Sequence, residues 1–298
     1  MAKSCTGQKN IQGHPCFGGN HRKNGRIHLA VAPRCNIKCG YCTRRHDCVN
    51  ESRPGVTSRI QTPQEALETV RGVMGSEGLG QLIKVVGIAG PGDPLANEET
   101  FETFRLIDCE FPHLIKCLST NGLLLPDSIE RLQELDLGSL TVTLNALDPV
   151  VAGRIYSYIS YRGKMYRGQE GAGILIANQL EGIERAVDSG ITVKVNTVLI
   201  PGVNEEQVPG IACKVKELGV FVMNVMPLIP QEDFAHLAPP SPEELESVRS
   251  ANERIIGQFR HCRQCRADAI GLIGQDVDIS DGGCVIRQTG DQPAGLQQ

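Results

Sequence analysis

Three cysteines crowd into Cys35-Asn36-Ile37-Lys38-Cys39-Gly40-Tyr41-Cys42, at x3 and x2 spacing. Three thiolates at this spacing can hold three irons of a 4Fe–4S cubane and leave the fourth iron open. A complete electron-transfer cluster uses four cysteines. The alternative, a zinc loop, normally pairs Cys-x2-Cys with a second, similar pair. The apolar run Ile27-His28-Leu29-Ala30-Val31-Ala32 ahead of the motif ends at Pro33 and reads as a strand. The cysteines are therefore expected on a short loop at a strand end.

Further donors are scattered along the chain. Cys16 follows His14-Pro15 in a glycine-rich start; it is either a ligand on an arm or a stray thiol. Cys48 lies too far from Cys42 to complete the first cluster by simple loop closure, and is free to serve a second centre. Cys262-x2-Cys265 has metal-ligand spacing, and two thiolates need ligands from elsewhere. Cys117 and His28 fall on strands; an inward histidine is either a nitrogen donor or a hydrogen-bonded core residue. Arg44, Arg45 and Arg53 can balance thiolate charge or face solvent. Gly90-Pro91-Gly92-Asp93-Pro94-Leu95 follows the second strand directly, where glycines let backbone approach a ligand and Asp93 can accept from an ammonium. Ser119, Asn121, Asn145, Asn196, Val198, Met226 and Leu228 end later strands, where amides and hydroxyls can read ribose and carboxylate and backbone edges can flank a base.

Strands are expected near 27–32, 84–89, 114–119, 139–145, 192–199 and 220–226. Helices are expected near 63–75, 97–108, 126–135, 174–189, 205–217 and 241–257. Thr62-Pro63 with Glu65, and Ser241-Pro242 with Glu244, carry N-cap and first-turn signals. Gly190 and Gly219 fall just past helix ends. Strands alternating with helices mean a parallel sheet. Side chains alternate across a strand, so Cys117 with Ser119, Thr141 with Thr143 and Lys194 with Asn196 share polar faces opposite Leu118, Val142 and Val195. A closed eightfold barrel fills its centre with branched apolar residues. A polar face points instead to a partly open barrel of about six β/α units around a polar ligand; the rival is a flat, doubly wound sheet. The expected organisation is a ligand-bearing arm over 1–25, the barrel over 26–258, and a cysteine-bearing extension with a flexible tail over 259–298.

Composition narrows the class. The 298 residues are 40% hydrophobic, enough for a substantial core, and the net charge of −4 offers nothing to nucleic acid or an anionic membrane. Twelve cysteines in a long alternating chain fit metal binding in the cytoplasm better than a disulfide scaffold. The start has no apolar signal core, and no run is long enough to span a bilayer.

The cysteine motif with Tyr41 resembles the signature of radical S-adenosylmethionine (SAM) enzymes. In that family the open iron chelates SAM, the aromatic lies near adenine, and a Gly-Gly-Glu-Pro motif, resembled here by Gly90–Pro94, binds the SAM amino group. Together with His14-Pro15-Cys16, Glu51-x-Arg53-Pro54-Gly55 and Cys262-Arg263-Gln264-Cys265-Arg266-Ala267-Asp268-Ala269, the motifs resemble the NifB family of nitrogenase cofactor maturases over about residues 10–275. The chain looks like the stand-alone form, without the NifX-like domain of many bacterial relatives. The fold implied is a partial (β/α)6 TIM-type barrel of the radical SAM fold, with cysteine-bearing extensions at both ends. The activity implied serves nitrogen fixation. Two 4Fe–4S precursors are joined around a carbide, with an added sulfur, to give an 8Fe core. One SAM donates a methyl group to a cluster sulfide, and a second yields the 5'-deoxyadenosyl radical that takes hydrogen from that carbon.

By the same resemblance Cys35, Cys39 and Cys42 hold the SAM cluster. Cys16, Cys48 and Cys117, with His28 as a transient ligand, hold the first precursor, and Cys262 and Cys265 the second. Three 4Fe–4S clusters and SAM are thus expected, with Arg53 and Glu65 as charge partner and acid near the clusters. The implied partners are a cluster-donor scaffold, a ferredoxin-type electron donor and a downstream carrier or scaffold of NifX or NifEN type; the chain is expected to be a monomer. The alternative is another radical SAM maturase that acts on a peptide or small molecule and uses its extra clusters for electron transfer. A non-enzymatic iron–sulfur carrier would cleave no SAM.

Overall fold

A computed structural model describes residues 11–17, 21–44, 47–48, 57, 59–262, 264–280 and 283–286. Among them the strands are β1 (Gly25–His28), β2 (Ile37–Cys39), β3 (Ile83–Ile88), β4 (Ile115–Thr120), β5 (Ser139–Thr143), β6 (Tyr156–Tyr161), β7 (Lys164–Tyr166), β8 (Thr192–Leu199), β9 (Val222–Pro227), β10 (Ile270–Leu272), β11 (Gln275–Ser280) and β12 (Gly283–Ile286). The α-helices are α1 (Pro63–Gly75), α2 (Leu79–Leu82), α3 (Glu98–Glu110), α4 (Leu125–Glu134), α5 (Pro149–Ile155), α6 (Gly168–Asp188), α7 (Val208–Glu217) and α8 (Pro242–Glu253). No helix among the described residues is long and apolar enough to cross a membrane.

The six strands expected from the alternation are β1, β3, β4, β5, β8 and β9. They pair in parallel in that order. Only the first departs noticeably: it ends at His28, because Val31 N–H turns back to Leu29 O and the chain then meets β3's exit loop in a single bridge, Ala32 to Pro91. The helices pack outside. Ile27, Val86, Ile88, Leu118, Leu140, Val142, Val193, Val195 and Val225 join one buried apolar cluster with Val70, Phe104, Ile129, Ile183 and Val215 from the helices. Each such side chain contributes about 1.5–3 kcal/mol on burial, so the outer layer carries the stability.

The inner face is built from rungs. Partners in a parallel ladder point the same way. His28, Gly87 and Cys117 form one rung, Ser119, Thr141 and Lys194 the next, and Thr143, Asn196 and Asn224 a third. Lys194, Asn196 and Asn224 are buried, so this polar face is enclosed and not a solvated edge.

The residues after α8 span the seam that six strands leave between β9 and β1. Met223 N–H donates to Gly257 O and Phe259 N–H to Met223 O, beside β9. Further on, β10 runs antiparallel to β1, and β11 and β12 extend the sheet. The buried Arg26 guanidinium fixes this end. Its Nη1 donates to Gly271 O at 2.7 Å and Leu272 O at 3.0 Å, and its Nη2 pairs with Asp276.

A second, small sheet escaped the sequence reading: β2 pairs with β6, and β6 with β7. The β6–β7 hairpin turns on Arg162 and Gly163, both at positive φ, the two-residue geometry that matches strand twist.

The loop after β3 is pressed onto the segment before Cys35. Gly92 N–H donates to Ala32 O and Asp93 N–H to Arg34 O at 2.6 and 2.8 Å. A Cβ on Gly92 would stand inside the Arg34 carbonyl, backbone against backbone. Gly92→Ala should therefore cost about 1–3 kcal/mol, read as a fall in Tm of roughly 2–5 °C; an unchanged melt would mean that the loop yields freely. Arg26→Met leaves Asp276 without its cation and frees two carbonyls. Amide hydrogen exchange over 270–279 should quicken by at least about tenfold while the α4 core is unaffected; equal rates in both proteins would show the guanidinium to be dispensable.

Candidate functional site

Two cavities meet inside the barrel. The outer one, about 310 Å3, lies at the carboxyl ends of the strands, where barrel ligands bind. Cys35, Cys39, Cys42 and Cys48 line it, with Gly92, Asp93, Ser119, Asn121 and Thr143. Its volume suits a small molecule.

The cysteine motif is less of a loop than expected, since β2 occupies its middle. Ile37 and Lys38 pair with Ile159 and Tyr158 of β6. Two cations tie the ends back. Lys38 Nζ donates to Cys42 O, and Arg44, at positive φ, donates to Ile37 O and, at 3.4 Å, to Cys35 O. Burial, then the nearby Asp93, pushes the Cys35 thiol up to about 11. Its thiolate needs a cation, and a bound metal meets that need. Asn121 Nδ2 lies 2.7 Å from Asn36 Oδ1 and 3.7 Å from Cys35 Sγ.

Asp93 is engaged by the protein itself. Its carboxylate accepts from Leu95 N–H at 3.0 Å, Thr120 Oγ1–H at 2.8 Å and Asn121 N–H at 2.6 Å. Burial pushes its carboxyl up to about 6 against the pull of these donors. Pro94 opens a buried 3-10 turn behind it. Gly90 adopts a φ of 153° at the start of the same loop.

Tyr41, Val198, Met226 and Leu228, expected around adenine, come together in one apolar cluster with Phe234, whose ring lies 5.9 Å from that of Tyr41. The phenol is anchored, not open: Asn145 Nδ2 donates to Tyr41 Oη at 2.7 Å, and Asn145 Oδ1 accepts from Val198 N–H. Asn145 thus pins the motif to the ends of β5 and β8.

Glu65 is not brought to either cavity. Its carboxylate closes the capping box of α1, accepting from Thr62 N–H at 2.8 Å and pairing with Arg59 in an exposed position. The local Thr-x-x-Glu spacing was the stronger signal. Arg53 lies outside the described residues.

The inner cavity, about 60 Å3, is lined by Cys16, Cys117, Cys262, Cys265 and His28, with His14, Arg26, Ser119, Lys194 and Asn196. Ser119 borders both cavities. The expected division of Cys16, Cys48 and Cys117 from Cys262 and Cys265 is not mirrored in separate cavities. Four of these thiols share the inner one, and Cys48 sides with the SAM motif. Asp47, next to Cys48, accepts from Ala267 N–H at 3.1 Å and so links the two regions. Burial pushes Cys16 up to about 12 and raises Cys262, while Lys194 opposes both shifts. His28 Nδ1 lies 3.0 Å from Arg266 O. A carbonyl only accepts, so the proton sits on Nδ1 and Nε2 keeps its lone pair. Burial pushes this imidazole down to about 4, which keeps it neutral. Gly87 leaves the ring its seat, since a Cβ there would lie 3.0 Å from His28 Cδ2.

The sequence reading gave no role here to His14, Arg26 and Lys194. Lys194 shares the polar parity of Asn196, the one signal that marked it. Arg26 and its partner Asp276 are 250 positions apart.

The donors suit iron–sulfur clusters. In a cubane each cysteine binds its own iron, so the thiols need to ring a volume. Among the described residues no three His, Cys, Asp or Glu side chains gather closely enough to hold a single ion.

Known proteins place this arrangement. Residues 29–215 match the model of the radical SAM superfamily. The chain is 49% identical over 264 residues to the FeMo cofactor biosynthesis protein NifB of Methanocaldococcus jannaschii, covering 87% of this chain and 86% of that protein. It is 46% identical over 271 residues to the protein of the same name from Klebsiella pneumoniae, covering 88% of this chain but 57% of that longer protein. The crystal structure of Streptococcus suis SuiB superposes on 80% of the chain, and 50% of its own, with a TM-score of 0.55 at 14% identity, a likeness of fold alone. A partial barrel, a three-cysteine cavity at its strand ends and these matches lead to one conclusion: the chain belongs to the radical SAM superfamily and, within it, to the NifB family of FeMo cofactor biosynthesis proteins.

Proposed function

We propose that this chain assembles an 8Fe cofactor core, joining two 4Fe–4S substrates around a carbide drawn from SAM together with an added sulfur. The observation that carries the reading is the wall shared by the two cavities. Ser119 separates a volume ringed by Cys35, Cys39 and Cys42 from one ringed by Cys16, Cys117, Cys262 and Cys265. A 4Fe–4S cluster on the first three cysteines supplies, when bound, the electron and the open iron that SAM needs for cleavage.

The chain's own residues then do three things. Asp93, through Thr120 and Asn121, keeps the strand ends against the cysteine motif, so the SAM cavity is formed in advance of its ligand. The inner rungs and the segments 256–262 and 264–272 shield the second cavity from water, which would otherwise consume a reactive carbon species. His28 offers a nitrogen lone pair, and the thiols offer sulfur, to clusters that arrive as substrate. Ligands from several elements, including Cys48 on the outer side, suit guests that must be held and later released. Cluster-donor scaffolds, a ferredoxin-type reductant and a carrier of the finished core are the partners such a reaction requires.

Supplied anaerobically with iron, sulfide, SAM and dithionite, the chain should yield both S-adenosylhomocysteine and 5'-deoxyadenosine with no organic substrate added. A chain that modifies a peptide would stall without it, and that result would remove the present reading. Cys42→Ala should lower SAM cleavage by more than about 100-fold, beyond the usual cost of losing an outer-shell partner, while iron persists at the other sites. Residual cleavage at the parental rate, or total loss of iron, would mean that the ligand set is different.

A further inference from the structure

We propose that His14 is a positioning residue of the inner cavity, its Nε2–H donating a hydrogen bond to a sulfur of the iron–sulfur guest. The inference rests on the reading above, that a sulfide-bearing cluster enters this cavity.

The two histidines of the cavity are held in opposite protonation patterns by their backbone partners. His28 gives its Nδ1 proton to a carbonyl and keeps a lone pair on Nε2. In His14 it is Nδ1 that accepts, from Cys16 N–H at 3.0 Å. An accepting nitrogen carries no proton, so the ring proton of His14 is on Nε2. That nitrogen is therefore a donor and cannot bind iron without losing its proton.

The donor is also left over. His14 is 2% exposed, and its Nε2 is buried with no hydrogen-bond partner among the described residues. Folded proteins leave few such groups, and an exception calls for a missing partner. The ring is held in place on its other sides: Phe17 packs edge-on at 4.7 Å, and Phe17 N–H closes a turn onto His14 O. It lines the cavity that Cys16, Cys117, Cys262 and Cys265 also line. A guest tied to Cys16 lies within two residues of this donor. Its sulfides are acceptors, and hydrogen bonds to cluster sulfur are one of the levers that set reduction potential.

His14→Asn is the informative variant. Its Oδ1 can still accept from Cys16 N–H, but the distal N–H is gone; His14→Gln restores a distal N–H. The full chain is reconstituted anaerobically, iron per chain is counted, and the clusters are titrated by EPR. The inner-cavity signal is the one that disappears in Cys117→Ala. The expected result is parental iron in His14→Asn with that signal's midpoint shifted to lower potential, because a donor to sulfur favours the reduced, more negative state. His14→Gln should recover part of the shift. An unmoved midpoint in His14→Asn overturns the proposal and leaves the cluster reading intact. Loss of iron overturns it too, by making the imidazole a ligand. A parent chain that takes up no iron beyond the SAM cluster sinks both.

Discussion

One buried carboxylate decides where the SAM cavity is. Asp93 accepts from its own loop at Leu95 and from the end of β4 at Thr120 and Asn121, and so joins two strand exits that have no covalent reason to stay together. Asn121, held there by its backbone, reaches Asn36 and lies against Cys35 sulfur. Asn97 completes the join from behind, accepting from Arg34 N–H and donating to Arg34 O and Asp93 O. The cost is clear in Asp93's raised carboxyl pKa: an ion kept away from water is tolerated because three donors converge on it. The cluster motif rests on this polar knot, while the apolar outer layer stabilises the strands that carry it.

Much of this was legible in the residues. Strand parity separated Cys117, Ser119 and Lys194 from Leu118 and Val195, because a sheet enclosed on both sides shows its polar face by period alone. The caps at Thr62 and Ser241 were legible because a capping box is complete within four residues. The same locality places Glu65: of its two readings, as cap and as acid, the structure shows the cap, with one carboxylate oxygen on Thr62 and the other on Arg59. What the sequence hid was pairing at a distance. Nothing in Tyr41 announces Asn145 as its partner, or in Arg26 announces Asp276, and neither pair follows from periodicity. The β6–β7 hairpin was missed for another reason. Its turn uses Arg162 at positive φ, a residue that carries no turn signal, and only Gly163 marked it.

The two cavities divide the labour by chemistry. The outer one is reached at the strand ends, where glycines and a proline turn bring backbone close to whatever is bound. The inner one is lined by thiols, two histidines and the Lys194 ammonium, a set that favours an anionic, sulfur-rich occupant over a nucleoside. Between them stands Ser119, a small side chain that borders both.

The way the segment after α8 crosses the barrel has a consequence for the thiols it carries. It is moored at both ends, to β9 through Met223 and to β1 through β10 and Arg26, and Cys262 and Cys265 hang from the stretch in between. Closing the open side of the sheet and placing these two cysteines are thus one act of folding: whatever loosens either anchor loosens the thiols with it.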